Sequence, residues 1–287
     1  MLPLHVALVS LTDGVDIASA TRVCAALQKQ VLRDLAPLWG VSATVDPFVE
    51  LEDVPLGYWP MIVDDDIRAS GVEGIHQDQD GQPFSLIQAG PTWSLTASHE
   101  CLEMLVDPYG RRMQAGDSIK PGQGRVEYLV EVCDPCETLD VSYTVNGVVV
   151  SDFYTPSYLD PVGRPGEGYS FTGAIAGPHQ VLRGGYVSWL DPPTRHWWQA
   201  VFFGEELEFR DLGALPGVGG NFRAAIDRVT SFERLAPELV GLVDPADERL
   251  QAPSAMRDQA ATSARSKAAA WRRQIAGLKA GLRDGYP

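Results

Sequence analysis

One segment of the sequence places a histidine and two glutamates at the spacing of a metal-binding helix. The run SHECLEMLVDPYG contains His99, Glu100 and Glu103. Residues four apart share one face of an α-helix, so His99 and Glu103 can reach the same ion. An imidazole nitrogen and a carboxylate oxygen both bind Zn²⁺, at about 2.0–2.2 Å. In the related H-E-x-x-H helix the glutamate takes a proton from metal-bound water, and we expect Glu100 to be this catalytic base.

A catalytic zinc site also needs a third protein ligand and an open position for water. The candidates are Asp107, just after the helix, and Glu131 and Asp134 in the segment YLVEVCDPCE. Asp107 lies about 12 Å from His99 along an ideal helix, too far for direct ligation unless the chain folds back. A strand passing beside the helix can deliver a residue of the later segment. We therefore expect Glu131 to be the third ligand, with Asp134 or Asp107 as an alternative ligand or as the partner that orients His99.

The same three residues can also form an ordinary solvated helix face without a metal. Leu102, Leu105 and Val106 surround them, however, and indicate a helix that is half buried. Pro108 disfavours a helical conformation at the residue before it, so the helix should end at about residue 106. These features favour the metal site.

Two segments of the chain, SHECLEMLVDPYG and EVCDPCE, together resemble a pattern of uncharacterised bacterial proteins and of the plant phosphate-induced, exordium-like proteins. That pattern is His-Glu-x-x-Glu, then Asp-Pro or Asn-Pro, then Glu-[Ile/Val]-x-Asp-x-Cys. It is carried here by His99, Glu100, Glu103, Asp107, Pro108, Glu131, Asp134 and Cys136. The resemblance covers about residues 90–200 and implies a zincin-like peptidase fold with a metal site. Glu103 departs from the usual zinc-peptidase helix, which has a second histidine there.

Hydrophobic patterns predict the elements around this helix. Apolar runs predict strands at residues 4–11, 42–49, 58–63 and 83–89, and helical spacing predicts a helix over residues 16–39. Later strands are expected at residues 126–133, 169–175, 186–190 and 197–203, with a hairpin in residues 141–153 around Asn146-Gly147. The predicted class is α+β: a zincin-like metal-binding domain with a mixed sheet over residues 1–212.

The remaining residues, 213–287, form a predicted helical C-terminal extension. It begins with the linker-like run GALPGVGG and continues with helical patterns at residues 221–243 and 255–282. The apolar stripe of the second helix can pack on the domain or can dock on a protein partner or another copy. We favour docking, because the preceding segment PADERLQAPSA is loop-like.

Composition limits the partners and the location of the protein. A formal net charge of −15 repels phosphate backbones, so we expect no nucleic-acid partner. No apolar run approaches the roughly 20 residues that span a bilayer, and the start MLPLHVALVSLTDG lacks the features of a signal peptide. We therefore expect a cytoplasmic protein without membrane association. The four cysteines are too few for a disulfide scaffold, and we expect buried thiols.

The expected function is that of a zinc-dependent metallohydrolase, a peptidase acting on a peptide or protein with metal-activated water. The alternative is a non-catalytic binding or assembly protein that retains the zincin-like fold. Metal content separates both from a third possibility, a metal-free protein whose His-Glu-x-x-Glu run is a surface face.

Overall fold

A computed structural model describes residues 3–67, 72–160, 166–216 and 221–230, and near the C-terminus residues 269, 271–277, 279 and 280. The helices are α1 (Ile17–Gln30), which continues through a π-helical turn (Val31–Leu35) into α2 (Ala36–Trp39), then α3 (Trp93–Val106) and α4 (Phe222–Thr230). The strands are β1 (Leu4–Ser10), β2 (Ala43–Phe48), β3 (Trp59–Asp64), β4 (Gly74–Gln79), β5 (Gln82–Gln88), β6 (Met113–Asp117), β7 (Arg125–Leu129), β8 (Tyr143–Val145), β9 (Val148–Val150), β10 (Tyr186–Asp191), β11 (His196–Val201) and β12 (Glu208–Gly213). Helices and sheets together confirm the α+β class.

The first sheet has the strand order β2-β1-β3-β5-β4. Its first four strands are parallel, and β4 is an antiparallel edge strand beside β5. Strand β1 is buried on both faces: Val6 and Leu8 belong to one apolar cluster, and Ala7 and Val9 to another on the opposite side. Burial on both faces explains why this strand is a continuous apolar run in the sequence.

The helix α1 covers one face of this sheet. It begins where the Asp16 carboxylate accepts a hydrogen bond from the backbone N–H of Ser19 at 2.7 Å, which satisfies a free donor of the first turn. Val23 and Leu27 are buried against the sheet. The helical path ends at Gly40, whose φ of +70° suits glycine. The predicted helix over residues 16–39 is thus confirmed, with a π-helical turn within it.

The helix α3 packs beneath β5 and β4. It ends at Val106, as the following Asp107-Pro108 pair predicts. The sequence indicated a half-buried helix, but every residue from Thr96 to Val106 is buried. The polar residues of this helix therefore lie inside the protein, where each needs a partner.

The second sheet is antiparallel, with the order β12-β11-β10-β7-β6. Beside it, β8 and β9 form the predicted hairpin, with φ of +51° at Asn146 and +79° at Gly147, as a tight two-residue turn requires. The predicted strand over residues 169–175 is wrong: the described residues show there one isolated bridge, Tyr154 to Ser170. The prediction also missed β4, β6 and β12.

The C-terminal part of the chain contacts the rest of the protein at two places. The backbone N–H groups of Phe222 and Arg223, in α4, donate to the carbonyl oxygen of Gly110 at 2.8 and 3.1 Å. Trp271 and Ile275 are buried in the second apolar cluster, on the far face of the first sheet. Most of the predicted helices at residues 221–243 and 255–282 lie outside the described residues, and the division at residue 213 stays a prediction. No helix in the described ranges is long and apolar enough to cross a membrane.

Candidate metal centre

His99 and Glu103 meet on one face of α3, as their spacing predicts. Nε2 of His99 lies 3.2 Å from Oε2 of Glu103. The other oxygen of Glu103 accepts hydrogen bonds from the backbone N–H groups of Cys133 and Asp134, at 3.0 and 3.3 Å. Oε2 is buried and has no hydrogen-bond partner. The backbone after β7 thus fixes the carboxylate and leaves one oxygen directed at the histidine.

Asp134 completes this group from a short 3₁₀ turn (Asp134–Cys136). Its Oδ1 lies 3.3 Å from Nε2 of His99 and has no hydrogen-bond partner. In tetrahedral zinc sites, ligand atoms at about 2.0–2.2 Å from the ion are about 3.3–3.6 Å from one another. The separations of His99 from Glu103 and Asp134 are close to this range, so these three residues could hold one ion.

Glu131, the expected third ligand, points elsewhere. Its Oε2 lies 3.5 Å from Nε2 of His76 and 3.9 Å from Nη1 of Arg223. Among the described residues, the two groups of possible ligand atoms that lie within 4.8 Å of one another are His99, Glu103 and Asp134, and His76, Glu100 and Glu103. Neither group includes Glu131. The geometry therefore favours Asp134, the alternative, as the third ligand.

Asp107 has a structural role at the end of α3. Its Oδ2 accepts a hydrogen bond from the backbone N–H of Arg112 at 2.8 Å, which closes the turn after the helix. It is buried and belongs to neither group of possible ligands found in the described part of the chain.

Glu100, the expected catalytic base, faces His76. Its Oε2 lies 3.4 Å from Nδ1 of His76, and the Glu100 side chain is nearly fully buried. Sequence analysis missed His76, because the segment GIHQDQ looks like a polar loop. In the structure this segment is β4, and its first residue, Gly74, leaves room for Glu100. A Cβ at Gly74 would lie 2.7 Å from Oε1 of Glu100.

Arg223 is the second residue that sequence analysis missed. It projects from α4, is buried, and donates from Nη1 to Oδ2 of Asp134 at 2.5 Å. Its Nη2 donates to the hydroxyl of Tyr186 at 2.8 Å, and its Nε pairs with Asp227 at 3.1 Å. It lies 89 residues from Asp134 in the chain, so no local pattern announces the contact.

The electrostatics of the cluster favour added positive charge. Burial alone lowers the pKa of His99, but the charge of Glu103 and the nearby carboxylate of Asp134 outweigh it and raise that pKa well above its usual value. Burial, and then the charge of Glu103, raise the pKa of Glu131 well above its usual value. Protons therefore compete with a metal ion for these groups, because metal binding requires a neutral His99 and ionised carboxylates.

A cavity of about 210 Å³ opens onto the cluster. His99 and Glu100 line it on one side, and Arg223 and Tyr186 line it as well. A small molecule or a side chain in this space can therefore contact the ion-binding group and the expected base together.

The cysteines are buried free thiols, as expected. Burial raises the pKa of Cys133 and Cys136 well above its usual value, so these thiols stay protonated at neutral pH.

The described chain is thus a mixed α+β protein with a buried histidine–carboxylate cluster at the floor of a cavity. No protein-family model, curated protein or solved structure matches it. Its function must be inferred from the cluster itself.

Proposed function

We propose that this protein is a metallohydrolase that holds Zn²⁺ with His99, Glu103 and Asp134 and cleaves peptide bonds with metal-activated water. The observation that carries the proposal is the convergence of three buried ligand atoms, two of which are carboxylate oxygens without hydrogen-bond partners. Buried, unpaired carboxylate oxygens are costly, and a metal ion offsets that cost. The order of elements, with a strand, a helix and several strands before α3, supports the zincin-like fold that the resemblance implies.

Three residues that line the cavity have a role in such a reaction: Glu100, Arg223 and Tyr186. Zinc, when bound, supplies a Lewis acid that lowers the pKa of a coordinated water. Glu100 lies beside His99 at the cavity and would serve as the base that takes up a proton and returns one to the leaving amine. Arg223 and Tyr186 line the same cavity and can donate hydrogen bonds to the oxygen that becomes negative. Arg223 also holds Oδ2 of Asp134, which keeps Oδ1 directed at His99.

Elemental mass spectrometry of the purified full chain, after gel filtration, tests the metal centre. We expect about one tightly bound zinc in the wild type and none in His99→Ala or Glu103→Ala. Asp134→Asn and Glu131→Gln form a matched pair, since each replaces one buried carboxylate by an amide. Asp134→Asn should lose the zinc, and Glu131→Gln should keep it.

The opposite result for this pair would restore Glu131 as the third ligand. A wild-type protein that takes up no zinc, even after incubation with the ion, would refute the proposal.

A non-catalytic binding protein is the second candidate, and one contact favours it. The ion pair of Arg223 with Asp134 compensates part of the cluster's charge without any metal. On this alternative the wild type carries no zinc and His99→Ala leaves the metal content unchanged, which the same measurement detects.

A further inference from the structure

We infer a second divalent-cation site next to the first, formed by His76, Glu100 and Glu103, whose occupation blocks the catalytic base. The inference rests on the proposed function, because it places the second ion beside the first. Glu103 belongs to both groups, and its Oε2 lies 3.2 Å from Nε2 of His99 and 3.6 Å from Nδ1 of His76. A single carboxylate oxygen therefore joins the two sites.

The geometry of the second group matches that of the first. Nδ1 of His76 lies 3.4 Å from Oε2 of Glu100 and 3.6 Å from Oε2 of Glu103. These separations fit the spacing of about 3.3–3.6 Å between ligand atoms around one zinc. The ligands come from two rigid elements, β4 and α3, and all three are buried.

Glu131 supplies an independent indication of a ligand. Metal-bound histidines usually direct their other ring nitrogen at a carboxylate, which fixes the ring. Oε2 of Glu131 lies 3.5 Å from Nε2 of His76, and this leaves Nδ1 for an ion. Both oxygens of Glu131 and Oε2 of Glu103 are buried without a hydrogen-bond partner.

The negative charge of the buried carboxylates also favours a second cation. Five buried carboxylates surround the two histidines and Arg223: Glu100, Glu103, Glu131, Asp134 and Asp227. If all five are ionised, their negative charge exceeds what one divalent ion and the guanidinium offset. A second divalent ion would supply the two remaining positive charges in this buried site.

Occupation of the second site has a direct consequence for catalysis. A cation bound to Oε2 of Glu100 withdraws the electron pair with which this oxygen accepts a proton. The first ion then activates the protein, and the second, weaker ion inhibits it. Zinc at one equivalent and zinc in excess therefore have opposite effects.

Metal stoichiometry tests the second site without a substrate. The full chain, freed of metal with a chelator, is titrated with Zn²⁺ in a calorimeter, and a parallel sample with Co²⁺ is followed by its paramagnetic resonance spectrum. We expect two equivalents in the wild type, the second at least tenfold weaker. The Co²⁺ signal should fall as the second equivalent binds, because ions about 3.5–4 Å apart couple magnetically.

Two variants and one control assign the second equivalent. His76→Ala should bind one equivalent, and Glu100→Gln should keep the tight site and bind the second ion at least tenfold more weakly. The second variant covers the case in which His76→Ala fails to fold. His196→Ala is the control: it removes a half-exposed histidine paired with Asp211, outside both groups, and should keep two equivalents.

The outcomes separate the two proposals. One equivalent in both the wild type and His76→Ala overturns the second site and leaves the proposed function standing. No binding in the wild type ends both proposals. Two equivalents in His76→Ala, or one in His196→Ala, also overturn the assignment, because the second ion then binds elsewhere.

Discussion

Arg223→Met should destabilise the metal-free protein strongly, although Arg223 lies outside the predicted metal-binding domain. Its guanidinium is 6% exposed and pairs with Asp134 at 2.5 Å and Asp227 at 3.1 Å. Methionine fills most of the volume but leaves these carboxylates buried without their cation. Removing one partner of a buried ion pair costs about 3–5 kcal/mol. We expect a loss of this size in the free energy of unfolding.

Urea unfolding in the presence of a chelator measures this loss, with the seven tryptophans as the fluorescent probe. For a urea dependence of about 2–3 kcal/mol per molar, the midpoint should fall by roughly 1–2.5 M. Arg125→Met is the matched control, because Arg125 makes an exposed pair with Asp117 at 3.6 Å. That substitution should change the stability by less than about 0.5 kcal/mol.

A loss below about 1 kcal/mol in Arg223→Met, with an unchanged urea dependence, would refute the reasoning. It would mean that solvation by water, or protonation, stabilises the buried Asp134 carboxyl group as well as the guanidinium does. The stability of Arg223→Lys should fall between those of the wild type and Arg223→Met. An ammonium keeps the charge, but its single nitrogen cannot reach Asp134, Tyr186 and Asp227 at once as the three guanidinium nitrogens do.

Three other predictions concern catalysis, packing and pH. Glu100→Gln should keep the tightly bound zinc and lower peptide hydrolysis by about 10²–10⁴-fold, and full activity in a peptide-library assay would exclude Glu100 as the base. Gly74→Ala should destabilise the protein by about 1–3 kcal/mol in urea unfolding, because its Cβ would lie 2.5 Å from Cγ2 of Thr96. Adding Thr96→Ser removes that methyl group and should recover part of the loss. Burial lowers the pKa of His179 to about 4. Between about pH 6.5 and 4 the histidine is therefore protonated in the unfolded chain but neutral in the folded protein. Stability that is complete above pH 6.5 should therefore fall by about 3 kcal/mol as the pH drops to 4, and His179→Phe should lack this part of the acid dependence.

The sequence predicted the helix α3 and its bounds well because its signals are local. The spacing of His99 and Glu103 fixes their common face, and Pro108 fixes the end of the helix. The strand β1 and the Asn146-Gly147 hairpin were predicted for the same reason, since an apolar run or a turn dipeptide is contained in a few neighbouring residues.

The choice between Glu131 and Asp134 as the third ligand depends on the tertiary path of the chain after β7, which no local pattern encodes. The predicted strand over residues 126–133 implied that Glu131 faces the helix, but β7 ends at Leu129 and the chain then leaves the strand pattern. The turn at Asp134 directs that carboxylate at His99 instead. Strand alternation cannot predict a side-chain direction once the strand has ended.

His76 and Arg223 were missed for a related reason. The edge strand β4 has one buried apolar residue, Ile75, and otherwise polar residues, so its sequence lacks the apolar alternation of a strand. Arg223 is a charged residue on an amphipathic helix, where solvent exposure is the usual state. The tertiary fold buries both residues beside Glu131, and no short segment encodes that contact.

The helical segment at residues 271–277 affects how the chain folds during its synthesis. Trp271 and Ile275 close the far face of a sheet whose first strand lies near the N-terminus, and Arg272 and Lys279 pair with Glu52 and Asp64 of the same sheet region. Ala7 and Val9 thus gain these neighbours only after more than 260 further residues have been synthesised. Until residue 275 leaves the ribosome, this apolar face of the nascent chain lacks the contacts of Trp271 and Ile275. The protein should therefore depend on chaperones, or aggregate, when translation stops short of that residue.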